Sequence, residues 1–168
     1  MIPKGIRMEP GLIYGDLIQC EDRSAELYLE FSVRFYDHVD VSWFWIELAM
    51  DEKQHAGLLQ HCLENTCFAE QLPSKETIIG LKRRLERLET RAAGDVLSID
   101  DAFEIAIEIE SSEMEDLSHK LTAPIASPPH VVQKRLDLSK KEHLSKLRTA
   151  AERFGASAAI RSRFEEIG

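Results

Sequence analysis

Residues 47–62 read ELAMDEKQHAGLLQHC. At helical spacing the apolar stripe runs through Leu48, Leu59 and Cys62, with Glu52 and His55 in its middle, where core residues belong. A carboxylate and an imidazole three residues apart on an inward stripe need a reason, because a buried charge is costly unless it is paired. That reason decides how the rest of the chain is read.

Four long segments show the three-then-four apolar spacing of a helix seam. The first spans about Gly11 to Asp37, with Tyr14, Leu17, Glu21, Tyr28, Phe31 and Phe35 on one face, and ends at YDHVDVS, whose Asp and Ser residues favour a turn and then an N-cap. The second, from about Ser42 to Asn65, carries Trp45, Leu48, Glu52, His55, Leu59 and Cys62. The third, from about Ser98 to Leu121, opens on the capping pattern SIDD and presents Phe103, Ile107, Glu110, Met114, Leu117 and Leu121, before the prolines of TAPIASPPH interrupt it. The fourth, from about Val131 to Phe154, presents Leu136, Lys140, His143, Leu147 and Phe154, and stops at Gly155.

The connection between the second and third helices is long, and the other two are short. Pro73-Ser74 and Gly94-Asp95 bracket a charged helix inside it, with Ile78, Leu81, Leu85 and Leu88 as its inner face. Such a connection predicts a crossover along the length of a bundle, while the short links predict antiparallel hairpins. A last short helix is expected in AAIRSRFEEIG. The expectation is therefore an all-α chain, one domain over residues 1–168 with its bundle at about 11–154. The composition agrees: 168 residues, 43% hydrophobic and 30% charged, with helix formers dominant.

Charge and cysteine content narrow the function classes. A net charge of −9 disfavours nucleic acid and anionic membrane surfaces as partners. The basic cluster Lys82-Arg83-Arg84 reads as the solvated face of a charged helix. No apolar run approaches the ~20 residues that span a bilayer, and the N-terminal MIPKGIRMEPGLIYG lacks the apolar block of a signal peptide. Three cysteines (Cys20, Cys62 and Cys67) form no CxxC pair, so neither a disulfide framework nor a zinc or rubredoxin-type knuckle is indicated. A reducing cytoplasm is the expected location.

An internal repeat appears when the seams are aligned. Glu21 and Glu110 are 89 residues apart, and His55 and His143 are 88 apart. Each hairpin thus carries a seam Glu on its first helix and a seam His on its second, at nearly matched depth. Singly, each has an ordinary reading: a satisfied core histidine, or a glutamate paired to a local lysine. Together with Glu52, and with Glu113 one turn after Glu110, they imply a common polar layer. Like charges buried together raise one another's pKa, and desolvation adds to that cost. Divalent ions held by carboxylate oxygens and imidazole nitrogens remove it.

With those residues in view, EDRSAELY at 21–28 and EKQH at 52–55 resemble the ferritin-like carboxylate di-iron proteins, most closely the rubrerythrin di-iron domain. That family places a Glu on each of helices one and three, and Glu-x-x-His on each of helices two and four. The resemblance implies a ferritin-like four-helix bundle in which Glu21 is a terminal ligand, Glu52 a bridging ligand and His55 a nitrogen ligand. Glu110 and His143 match the third- and fourth-helix ligands, and Glu113 resembles the extra glutamate that exchanges with the helix-two His. One departure stands out: the second Glu-x-x-His is replaced by KKEH at 140–143, so Lys140 occupies the bridging position. Leu117 replaces the tyrosine that the repeat would place there, leaving Tyr28 as the phenol beside the ligands. Three states stay open: a weakened two-metal site, one metal plus the Lys140 ammonium, or no metal and a salt-bridged core.

The resemblance implies a non-heme iron oxidoreductase that reduces peroxide or dioxygen, holding one or two iron ions or another divalent metal. With no built-in rubredoxin, electrons would come from a separate carrier protein. A homodimer is expected by the same analogy. The alternative is a non-catalytic binding or metal-handling module in which Lys140 replaces one metal.

Overall fold

A computed structural model describes residues 9–123 and 143–167; within them the side chains of Glu113, Met114, Glu115, His119 and Ile167 fall outside the description. All secondary structure among the described residues is helical: α1 (Pro10–Arg34), α2 (Val39–Glu64), α3 (Lys75–Ala92), α4 (Ile99–Glu110), α5 (Glu113–Thr122), α6 (residues 143–153) and α7 (Ala158–Ile167). The expected fourth helix is described only from His143 onward, and Lys140 lies outside the described residues.

Side-chain ties fix how the rods run. α1 and α2 are antiparallel: Gly11 approaches Leu63, Lys53 Nζ lies 2.6 Å from Asp22, and Ser42 Oγ donates to the Ser32 carbonyl at 2.9 Å. α3 runs parallel to α1, because Lys82 meets Asp16, Arg23 grips Glu89 at 2.6 Å, and Arg34 donates to the Gly94 carbonyl at 2.8 Å. It therefore carries the chain back along the hairpin, as the crossover expectation required. α4 and α5 then run antiparallel to α1, with Tyr28 against Glu110 and Tyr14 against the Leu121 carbonyl. α6 returns against α2, tied by Lys146–Asp51 at 2.6 Å and Arg153–Asp40 at 2.5 Å.

Local chemistry sets the element ends. Ser98 and Asp101 form the expected capping box: the Asp101 N–H donates to Ser98 Oγ at 3.1 Å and the Ser98 N–H to Asp101 Oδ2 at 3.2 Å. Ser74 caps α3 through the Thr77 N–H at 3.1 Å. Gly155, at φ 76°, supplies the left-handed stop after α6.

The third helix departs from the expectation of one rod from Ser98 to Leu121. It breaks at Ser111-Ser112: the Ser111 hydroxyl donates back to the Ile107 carbonyl at 2.6 Å, and the Ser112 N–H takes the Ile109 carbonyl at 3.0 Å. Serine back-bonding of this kind competes with the helix ladder and bends it. The tightened turn ends α4 at Glu110, and a new helix begins at Glu113.

Two apolar ends enclose the middle of the bundle. At one, Tyr28 and Phe31 of α1, Phe44 and Trp45 of α2, Phe103 of α4 and Phe154 form an aromatic cluster, with Tyr28 stacked on Trp45 at 5.9 Å and 23°. At the other lie Tyr14, Leu17, Leu59, Cys62 and Leu121, all buried. On α3 the four expected inner residues Ile78, Leu81, Leu85 and Leu88 are buried against α1 and α4. Leu85→Ala should therefore lower the unfolding free energy by about 2–5 kcal/mol, and Arg84→Ala on the exposed face by less than about 0.5 kcal/mol. Urea unfolding of both variants checks this; equal effects would contradict the packing of α3 on that face.

Candidate metal centre

Between the two apolar ends, five side chains converge: Glu21 from α1, Glu52 and His55 from α2, Glu110 from the last position of α4, and His143 from α6. Their exposures are 0%, 1%, 7%, 1% and 3%. Their potential ligand atoms fall into two groups, Glu21–Glu52–His55 and Glu52–Glu110–His143, each lying within 4.8 Å of one another, and either could hold a metal ion. Glu52 belongs to both. Of the six residues expected at the site, five are brought together; the side chain of the sixth, Glu113, is outside the described residues.

Each group is oriented by neighbours on other helices. Glu21 Oε1 accepts a hydrogen bond from Ser118 on α5, and its Oε2 accepts none among the described residues. His55 Nδ1 lies 3.5 Å from Glu52 Oε2, one turn away on the same helix. Glu110 Oε1 accepts from the Tyr28 hydroxyl at 2.8 Å, and its Oε2 faces His143 Nδ1 at 3.0 Å. The other nitrogen of that ring, Nε2, lies 3.2 Å from Asp51 Oδ2, which also takes Lys146 Nζ at 2.6 Å. The two imidazoles sit 5.4 Å apart.

This pattern suits a cation. Three carboxylates and two imidazoles are buried together, while no lysine or arginine is buried among the described residues. Burial above all, with the Glu52 charge beside it, holds the Glu21 carboxyl well above the usual carboxylate range. Hard oxygen donors mixed with imidazole match iron, manganese or zinc better than magnesium or calcium. With its proton on Nε2 and directed at Asp51, His143 would present the Nδ1 lone pair to the cluster.

Two of these supports were not among the residues expected from sequence. Asp51 sits next to Glu52 but off the seam, and only the position of α6 reveals its role. Burial pushes its carboxyl upward, yet hydrogen bonds from His143 and Lys146 and their charges outweigh that and hold it at about 2. Ser118 was hidden by the break in the third helix. An unbroken helix would keep Leu117 on the seam, whereas the restart at Glu113 leaves Leu117 half-buried and turns Ser118 onto Glu21. A groove of about 570 Å³ opens between α2 and α6, and its walls include Phe44, Leu48 and Lys146, the partner of Asp51.

Comparison of the chain with protein-family models, with curated proteins and with solved structures found no match.

The raised Glu21 value fixes a pH dependence. The folded chain binds this proton more tightly than the unfolded chain does, so the associated stability is fully present below about pH 4.5 and is lost as pH rises through the folded value. Asp51 acts oppositely but between 3.8 and about 2, outside that window. In chelator-treated protein the melting temperature should fall as pH rises above the ordinary carboxylate range. The fall should be shallower in Glu21→Gln, and identical slopes would contradict the assignment.

Proposed function

We propose that this chain is a ferritin-like carboxylate protein of the rubrerythrin kind, holding two iron ions on either side of Glu52 and reducing peroxide or dioxygen. The observation that carries the reading is the sharing of Glu52 between two buried ligand groups, each of two carboxylates and one imidazole. Three protein ligands per ion leave coordination positions for solvent or an oxidant, as catalytic sites require. The helix directions support the reading: α1 and α2 are antiparallel, α3 returns along α1, and α4 and α6 run in opposite directions, as a ferritin-like bundle would have them.

Iron at such a site supplies one-electron steps and binds oxygen species. The chain's own residues do the rest. Glu21, Glu52 and Glu110 offset the charge of the ions, and His55 and His143 complete the two ligand groups. Asp51 holds the His143 proton on Nε2, and Tyr28 keeps Glu110 in place with its hydroxyl. The aromatic cluster of Tyr28, Phe31, Trp45 and Phe103 keeps bulk water out from one end. Lys146 lines the groove, and its partner Asp51 is itself partly exposed to solvent. Electrons come from a separate carrier protein, and a homodimer is the assembly this family analogy carries.

A second reading rests on Lys140, which stands where a second bridging carboxylate belongs. In it the chain holds one metal and serves as a binding or metal-handling module. Metal content separates the two. Protein expressed with iron should contain about two equivalents per chain, and its absorbance should change on adding peroxide. Glu52→Gln should lose both ions, and Asp51→Asn should weaken binding by roughly 10–100-fold. A single equivalent that survives Glu52→Gln would overturn the shared-ligand site.

A further inference from the structure

The C-terminal end of α2 holds two thiols that the metal layer does not use. α2 ends at Glu64, the Asn65 N–H bonds the His61 carbonyl at 3.1 Å, and Thr66 turns into the left-handed region at φ 52°. It is the only residue besides glycine with positive φ among the described residues. That turn brings the Cys67 N–H back to the Cys62 carbonyl at 2.9 Å. In a six-to-one closure of this type, the side chains of the first and sixth residues are the pair drawn together over the helix end. Here both are cysteines, and both are free.

The surroundings hold this turn, and Cys67 Sγ adds a donor to the Asn65 carbonyl at 3.5 Å. The Tyr14 hydroxyl donates to the Leu121 carbonyl at 2.7 Å and accepts from the Ala69 N–H at 3.0 Å, and Phe68 packs on the Tyr14 ring. Cys62 is fully buried with Sγ 3.7 Å from the Leu121 carbonyl oxygen, while Cys67 is partly open to solvent. One thiol is reachable and the other waits behind it, the arrangement of an attacking and a resolving cysteine.

We propose that Cys62 and Cys67 form a reversible intramolecular disulfide, closed by hydrogen peroxide. The Cys67 thiolate attacks one peroxide oxygen, giving a sulfenic acid and releasing hydroxide, which takes up a proton to leave as water. Cys62 sulfur then displaces the sulfenic hydroxyl, which leaves as a second water with the Cys62 proton. Both thiols are oxidised and one peroxide is reduced. Burial, with the Cys67 charge added, holds the Cys62 thiol up at about 11, so the buried partner is protected until Cys67 has reacted. Closure costs Cys62 its contact with Leu121, on the helix whose Ser118 holds Glu21. A pair that opens and closes with redox state is compatible with a reducing compartment, where a structural disulfide is not.

Cys62 and Cys67 fall in one tryptic peptide, residues 54–75, and Cys20 falls in another. The full chain, reduced and then treated with one equivalent of hydrogen peroxide, should yield most of that peptide lighter by two hydrogens and closed to alkylation. Dithiothreitol should restore it, and Cys67→Ser should abolish it. In Cys62→Ser a dimedone adduct should appear at Cys67. The assay is run on chelator-treated protein, where the thiols are the reductant, so failure of the metal reading leaves it standing. Sulfinic acid at Cys67 without the closed peptide, or a Cys67–Cys67 link between chains, would overturn the proposal.

Discussion

Three glutamate side chains meet in the middle of this bundle with no buried lysine or arginine beside them among the described residues. Like charges at this range, away from water, cannot all remain ionised unless a cation joins them. Without one, a proton must be taken up instead, which is the direction in which Glu21 is shifted. The architecture around the layer serves that condition. α1, α2, α4 and α6 each contribute at least one of the five groups, and Tyr28, Ser118 and Asp51 reach across from neighbouring helices to fix their orientation.

The two ligand groups are not equivalent. Glu21–Glu52–His55 is built on the continuous α1–α2 hairpin, and Glu52 and His55 share one turn of α2. Glu52–Glu110–His143 depends on a helix terminus, since Glu110 is the last residue before the Ser111-Ser112 break. Its compensation lies in the neighbours: Tyr28 donates to one oxygen of Glu110, the other faces His143 Nδ1, and Asp51 engages the far side of the imidazole.

Much of this was legible in the sequence, and the exceptions have physical causes. The heptad-like placement of Glu21 with Tyr28, and of Glu52 with His55, is local to continuous helices, so spacing alone put them on the inner face. The 88- and 89-residue offsets carried Glu110 and His143 to the same depth. The charged crossover was readable from Ile78, Leu81, Leu85 and Leu88, which line one face of α3. The break at Ser111-Ser112 was not, because serine is tolerated within helices and only its hydroxyl's choice of the Ile107 carbonyl marks the bend. Ser118 was lost with it, as its phase depends on the restart. Asp51 was lost for another reason: its role is a contact between helices far apart in the chain, which periodicity cannot report.

The central claim, that Glu52 is shared between two ions, is tested most directly by anomalous diffraction at the iron edge from crystals grown with iron. Two peaks should flank the Glu52 carboxylate, one enclosed by Glu21 and His55 and the other by Glu110 and His143. One peak that Glu52 does not touch, or none within this layer, would contradict it.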